Sequence, residues 1–266
     1  MQKRNTGNWG PAGDFNMKRI SYIIVLLLIS ILVGTNWKCK KENACDCIHG
    51  TGSIVQETRQ LPTFHSVYVE DNVNLIFQED TMQRITVEAG KELIKLVKTE
   101  MKDDQLYIHN DNKCNFSRRY DIPINVYIHY VRNQFYTLKS KATSFITNTN
   151  PCTNDSIDLN IESSGDINFQ VAGSGNIFTH QHGAGDVTLT GSCDQVIIYS
   201  VGTGFTTTDA CTNTYTWVLS NTTGRITVDP SNLLISDIYG TGNVYYRGYP
   251  ANITNTQHAS GKLIPL

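Results

Sequence analysis

Few residues in this 266-residue chain have types and spacing that could do chemistry. Asp166 and Asp186 lie twenty apart in matching "SGDI" and "AGDV" contexts. Paired carboxylates of that kind can hold calcium, or act as acid and base on a glycosidic bond. No histidine or basic residue recurs at the same phase to assist them, so two solvated turn residues are the preferred reading. His180 and His182 fall on one side of an extended strand, but two ligands do not close a metal site. "GAGDVT" and "GTGNVY" imitate phosphate loops, yet each lacks the third glycine and a following helix. Catalytic, cofactor-binding and metal sites are therefore all expected to be absent.

Seven cysteines fit an oxidising compartment. Cys39 follows an apolar segment and is the lipidation candidate; Cys45, Cys47, Cys114, Cys152, Cys193 and Cys211 are disulfide candidates without paired zinc knuckles.

The elements that must position these residues follow a ruler. Gly165, Gly185, Gly204, Gly224, Gly242 and Gly261 recur at intervals of 20, 19, 20, 18 and 19 residues, each after Ser, Ala or Thr. A period near twenty is the mark of a solenoid whose turns bury their apolar faces against one another. Two residues after each glycine stand Ile167, Val187, Thr206, Ile226, Val244 and Leu263, and the neighbouring positions are mostly polar. That is strand alternation, and it stacks equivalent side chains in columns. The glycine is expected at a corner, in a positive-φ conformation beside an Asp or Asn that bonds the turn. The coil at Gly204 fits worst, because Thr206 and Thr208 would face inward; a bulge turning Phe205 to the core is expected there. Half-way positions carry Val196-Ile197-Ile198, Tyr215-Thr216-Trp217 and Leu233-Leu234-Ile235, so each turn has at least two strands. Cys193 and Cys211 share a phase on adjacent turns, which predicts a disulfide contributing about 3 kcal/mol. Cys152 lies two turns from Cys193, leaving Cys114 or the Cys45/Cys47 pair as its partner.

Lys18 and Arg19 precede the apolar run Ile20 to Val33, which has the length of a signal-peptide core and is short for a bilayer span. Met17 is the expected start, residues 1–38 an upstream extension plus signal peptide, and residues 39–49 a linker or anchor segment. Asn36-Trp37-Lys38 is a poor lipoprotein cleavage context, so lipid anchoring at Cys39 and plain signal cleavage both stay open. Removing residues 1–38 takes away Lys3, Arg4, Lys18, Arg19, Lys38 and Asp14, leaving 17 basic and 23 acidic residues, a net charge of -6. A mildly acidic exported chain is a poor partner for nucleic acid.

Ahead of the regular repeats, "FHSVYVEDNVNLIFQED", "RITVEAGKELIKLVKTE", "QLYIHN" and "IPINVYIHY" read as strands, with turns at Asp71-Asn72 and Asp103-Asp104 and a short helix over Glu92 to Lys98. This half is expected to form irregular opening coils, about residues 50–140, that cap regular coils over residues 141–266.

"GTGSIV" at Gly50, "VEDNVNLIF" at Val69, "VEAGKELIKLVKTE" at Val87, "NDNKCN" at Asn110, "IPINVYIHY" at Ile122, then "SGDI", "GTGNVYYRG" and "SGKLI" resemble the head GIN domain of auto-transporter adhesins. The resemblance runs from about residue 50 to residue 266. It implies an all-β fold, a single-stranded right-handed parallel β-helix with an irregular strand-rich cap, in an exported and commonly lipid-anchored envelope protein of the periplasm, outer membrane or cell surface. It brings no catalytic residues. Tyr130 to Asn150 departs most, lacking the small-Gly marker.

Tyr199, Tyr215, Trp217, Tyr239, Tyr245 and Tyr249 are many aromatics for one half of a domain and form a candidate binding face. The preferred function is a non-enzymatic adhesive or scaffolding module that presents a rigid surface to a glycan or an envelope or surface protein. The alternative is a β-helical carbohydrate-active enzyme using Asp166 and Asp186.

Overall fold

The computed structural model describes residues 50–112, 121–143 and 145–266. The expectations for the signal segment, Cys39, Cys45, Cys47 and Cys114 lie outside the described residues. Strand alternation governs what is described. The regular part begins with β10 (Ser156–Ile161) and the long strands β11 (Ile167–Gln181), β12 (Val187–Ser200) and β13 (Thr206–Ser220). It continues through β14 (Ile226–Val228), β15 (Pro230–Ile238), β16 (Val244–Tyr246), β17 (Asn252–Gln257) and β18 (Leu263–Pro265).

Every pairing among these strands is parallel, and the register is the ruler's: Ile167 opposite Val187, Val187 opposite Thr206, Thr206 opposite Ile226, Ile226 opposite Val244, and Val244 opposite Leu263. The result is a β-solenoid of about six turns. Each turn lays one strand in each of two sheets. The first sheet runs β10, the second halves of β11, β12 and β13, then β15 and β17. The second runs the first halves of β11, β12 and β13, then β14, β16 and β18. Between them, Ile167, Val187, Thr206, Ile226 and Val244 form one buried column, each side chain covering the next, and its aliphatic members each gain about 1.5–3 kcal/mol from burial.

The opening half winds differently. β2 (Ser66–Val69) and β3 (Asn74–Glu79) sit between β6 (Gln105–Asn110) and β7 (Asn125–Tyr130) on one side and β8 (Thr137–Ser140) and β9 (Ile146–Asn148) on the other. Beyond β6 and β7 the sheets continue with antiparallel strands: β5 (Val97–Lys102) on β6, and β4 (Arg84–Gly90) between β7 and β1 (Ile54–Arg59). Antiparallel strands, Leu93 and Ile94 close the apolar end of the stack, and Arg59 ties them down by donating to the carbonyls of Val97 and Ile94. The turns at Asp71 and at Asp103-Asp104 form with positive φ, as short polar side chains allow.

The helix expected over Glu92 to Lys98 shrinks to one 3-10 turn, Ile94–Leu96, because Val97 and Lys98 are drawn into the β5–β6 pairing. The segment lacking a glycine marker still makes a full turn: β8 and β9 stack under β10 and β11, and the Gly165 N–H donates to the carbonyl of Ala142 as the Gly185 N–H does to that of Ser163.

The marker glycines correct the sequence reading. Positive φ occurs at Gly173 and Gly191, in the other corner of the turn, and not at the markers. A Cβ on Gly185, Gly204, Gly224, Gly242 or Gly261 would stand 2.0–2.4 Å from the carbonyl oxygen of the marker one turn below. The residue is small there because successive backbones touch.

The worst-fitting coil is also resolved differently. Thr206 and Thr208 are fully buried and Phe205 is 52% exposed, so no bulge turns Phe205 inward. Buried Gln181 makes this tolerable. Its amide donates to the carbonyls of Gly185 (2.7 Å) and Phe205 (3.2 Å), and its oxygen accepts from Ser200 Oγ (2.6 Å) and Thr206 Oγ1 (3.3 Å). Thr208 Oγ1 donates to the Thr227 carbonyl. A fully satisfied polar cluster replaces the missing aliphatic rung. The register slip that does occur lies between Thr188 and Thr190 of β12, opposite the stretch from Thr207 to Ala210 of β13, and so beyond Phe205.

Candidate functional site

The turn residues that might have done chemistry are used in stacking. Asp166 Oδ1 accepts the N–H of Asp186 at 2.8 Å, Asp186 Oδ1 accepts the N–H of Phe205 at 2.7 Å, and Asn243 Oδ1 accepts the N–H of Lys262 at 3.0 Å. Each side chain therefore binds the backbone of the next turn, which is why Asp or Asn follows the marker glycine. Among the described residues no histidine or cation is brought to Asp166 or Asp186 by hydrogen bond or ion pair, and no group of three His, Cys, Asp or Glu could hold a metal ion. His180 lies 3.6 Å from Asp158, and the Tyr199 ring stands 6.0 Å from that of His180 and 5.5 Å from that of His182.

Cys193 and Cys211 lie together, as their phase predicts, but the disulfide is not formed: the sulfurs are 3.6 Å apart as free thiols. The backbone register explains the gap, since Cys211 pairs with Gly191 and Cys193 with Ser174, leaving the two offset along the strand. The hydrogen bond with Cys211, together with burial, pushes the Cys193 thiol up, and the same hydrogen bond holds Cys211 below the usual thiol range. Cys193 also lines an open groove of about 400 Å³ with Asn213, Asp229, Ser231 and Tyr249. Cys152 is a buried free thiol, raised chiefly by its burial.

The six aromatics do not share one face. Tyr239 stacks on His258 at 4.0 Å, Tyr245 lies under the Arg225 guanidinium on the second sheet, and Tyr249 stands fully exposed in the loop between β16 and β17. Tyr199, Tyr215 and Trp217 do come together, on the outer face of the first sheet. There they join residues that the sequence reading did not single out. One outward column runs Phe178, Ile197, Trp217, Ile235; beside it run Tyr199 and Leu219 on one side and Tyr215 and Leu233 on the other. Trp217 is 40% exposed, the others are partly exposed, and the Trp217 indole donates to Asp237 at 3.3 Å. Over β9, β11, β12 and β13 the outer face of the second sheet is unlike this, with Thr147, Asn168, Thr188 and Thr207 in one column, which continues into buried Thr227, Tyr245 and Ile264. The first sheet thus carries a contiguous apolar patch across four turns, bounded below by Asp158, Lys139 and Glu162; hydrogen bonds and charge from Lys139 and Lys141 hold the Glu162 carboxyl below the usual range. Patches of this kind mark contact surfaces.

Fold and surface together define a β-solenoid with one apolar outer sheet face. The chain belongs to the family described as "Putative auto-transporter adhesin, head GIN domain", whose model matches residues 63–250. It is similar to solved structures of the same fold. One, a putative adhesin from Bacteroides fragilis, is 16% identical with a TM-score of 0.73, covering 82% of this chain and 100% of that one. A putative adhesin from Parabacteroides distasonis is 16% identical with a TM-score of 0.57, covering 82% and 100%. A putative lipid binding protein from the same species is 18% identical with a TM-score of 0.57, covering 82% and 99%. No curated relative matches the chain. The family's description supports an adhesin-like role at the cell surface. No helix among the described residues is long and apolar enough to cross a membrane.

Proposed function

We propose that this chain is a non-enzymatic envelope module that adheres through the outer face of its first sheet. The observation that carries the reading is the patch centred on Trp217 and Ile197, which is apolar over four turns, whereas on β11, β12 and β13 the opposite outer face carries Asn168, Thr188 and Thr207. Its four aliphatic side chains, Ile197, Leu219, Leu233 and Ile235, interleaved with four aromatic ones, suit a protein surface better than a sugar, which needs polar groups to orient it. The enzyme alternative has little to support it, since Asp166 and Asp186 each bind a backbone N–H of the next turn.

The proposal extends to the exported state. The segment Ile20 to Val33 directs export, Cys39 carries the lipid when the chain is anchored, and the domain begins near residue 50. Outside the cytoplasm, thiol–disulfide exchange with an oxidised dithiol carrier closes Cys193–Cys211, each thiol losing a proton as the carrier is reduced. Closure requires the sulfurs to approach by about 1.5 Å. Non-reducing peptide mapping of exported protein should recover Cys193 and Cys211 as one linked peptide; two free thiols would refute the closure.

Adhesion is tested with beads coated with the exported chain. Bead binding to bacterial cells should be lost in Trp217→Glu, and a reducing-sugar release assay should stay blank. Sugar release abolished by Asp166→Asn and Asp186→Asn would overturn the reading.

A further inference from the structure

The apolar face alternates large and small residues in a way that is complementary to itself. Consider the face laid against an identical one about 10 Å away, as two sheets pack. A two-fold axis parallel to the strands and midway between β12 and β13 keeps each outward column facing its own copy and reverses the order of turns. Ile197 then faces Trp217 of the second copy, Phe178 faces Ile235, and Tyr199 faces Leu219. In the same alignment His180 on β11 faces Asp237 of the second copy, since both lie in the column of Tyr199 and Leu219. The other in-plane two-fold, along the solenoid axis, would set Asp237 against Leu233 and leave a carboxylate covered by hydrocarbon, which is strongly unfavourable.

Size also fits. From β11 to β15 the apolar block spans about 14 Å across the strands and about 13 Å along them, and with the polar rim on β10 and β17 the face covers on the order of 600 Å². That is near the lower limit for a specific interface, about 600–800 Å² per partner, and predicts a reversible dimer rather than an obligate one. The rim is polar, with Gln195 at one side and Asn252, Thr254 and Thr256 on the outermost strand.

We infer that a second copy of this chain occupies the face, packed sheet to sheet with the two solenoid axes antiparallel. This rests on the reading of the face as a docking surface and names its partner. Contact between like molecules buries Trp217 near the two-fold, where a large aromatic side chain contributes most.

The test is sedimentation velocity on the exported chain from about 1 to about 200 µM, the range in which a weak dimer dissociates. The native chain should shift from monomer to dimer. Trp217→Glu should weaken association about thirty-fold or more, whereas Thr188→Glu, outward on the other sheet, should leave it unchanged; far-UV circular dichroism checks that both fold. Asp237→Lys should weaken the dimer, and the double exchange His180→Asp with Asp237→Lys should restore it. A native chain monomeric throughout, a dimer indifferent to Trp217→Glu, or a charge exchange that fails to restore binding would each overturn the inference. If the chain is monomeric while its coated beads still adhere to cells through Trp217, the inference fails and the proposed function stands; if adhesion is lost as well, both fail.

Discussion

Replacing Gly224 by alanine tests the stacking logic directly. Its Cβ would lie 2.1 Å from the carbonyl oxygen of Gly204 and 3.0 Å from that of Thr203. A carbon–oxygen contact normally needs about 3.3 Å, so one turn must move by about 1 Å from the next. Two backbone hydrogen bonds between these turns flank the corner, Thr206 N–H to the Arg225 carbonyl at 3.0 Å and Asn221 N–H to the Ser200 carbonyl at 2.7 Å. Stretching both past bonding range in a buried seam costs about 1–3 kcal/mol each, so a loss of about 2–5 kcal/mol is expected. For a domain of this size that lowers Tm by about 5–15 °C. The sign is the informative part. Gly224 does not have positive φ, and a glycine kept only for local flexibility would give an alanine variant stabilised by about 0.4–1 kcal/mol through the unfolded chain. Urea denaturation followed by circular dichroism measures the difference, with Gly50→Ala, whose Cβ would meet nothing within 4 Å, as the reference. A Gly224→Ala variant as stable as native, or more so, would refute the contact argument.

Gln181→Leu should destabilise by about 2–4 kcal/mol in the same assay, because it strands the Gly185 carbonyl and the Ser200 and Thr206 hydroxyls in the core. Adding Thr206→Val to it should recover part of the loss by removing one orphaned hydroxyl. Asp80 is held below the usual carboxylate range, first by the Thr81 N–H and then by His129 and Arg84. A depressed carboxylate stabilises the folded chain above its unfolded pKa of about 3.9, and that contribution is lost as pH falls through the lower folded value. Asp80→Asn should therefore be less stable than native at neutral pH, with the gap narrowing below about pH 4; a gap constant down to pH 2 in acid titrations would contradict this.

The period, the inward column and the corner position of the glycines were legible because each depends on local spacing that the stack repeats. The reason for the glycines was not, since the contact that excludes a side chain comes from a residue about twenty positions away. Phe205 was misread for a related reason: hydrophobicity alone sends it inward, and the groups that permit two threonines in the core, Gln181 for Thr206 and the Thr227 carbonyl for Thr208, lie on other turns. The apolar outer face did leave a signal. Val196-Ile197-Ile198 and Leu233-Leu234-Ile235 are unbroken apolar runs in strands, and a strand that is apolar at consecutive positions must be apolar on both faces. Attention to aromatics alone found Tyr199, Tyr215 and Trp217 but dispersed the set by including Tyr239, Tyr245 and Tyr249. The turn position of Asp166 and Asp186 follows from the spacing, while their hydrogen bonds to the next turn needed the third dimension.

The seam of corner glycines resting on one another's carbonyls has an evolutionary corollary. Duplicating or excising one whole circuit reproduces the same seam and alters only the height of the column, by about 4.8 Å. An insertion that moves a marker glycine out of the seam would instead set a side chain over a carbonyl and jam the stack. Descendants of this sequence can therefore grow taller or shorter only in discrete steps, and the distance to which the molecule projects is inherited as a whole number.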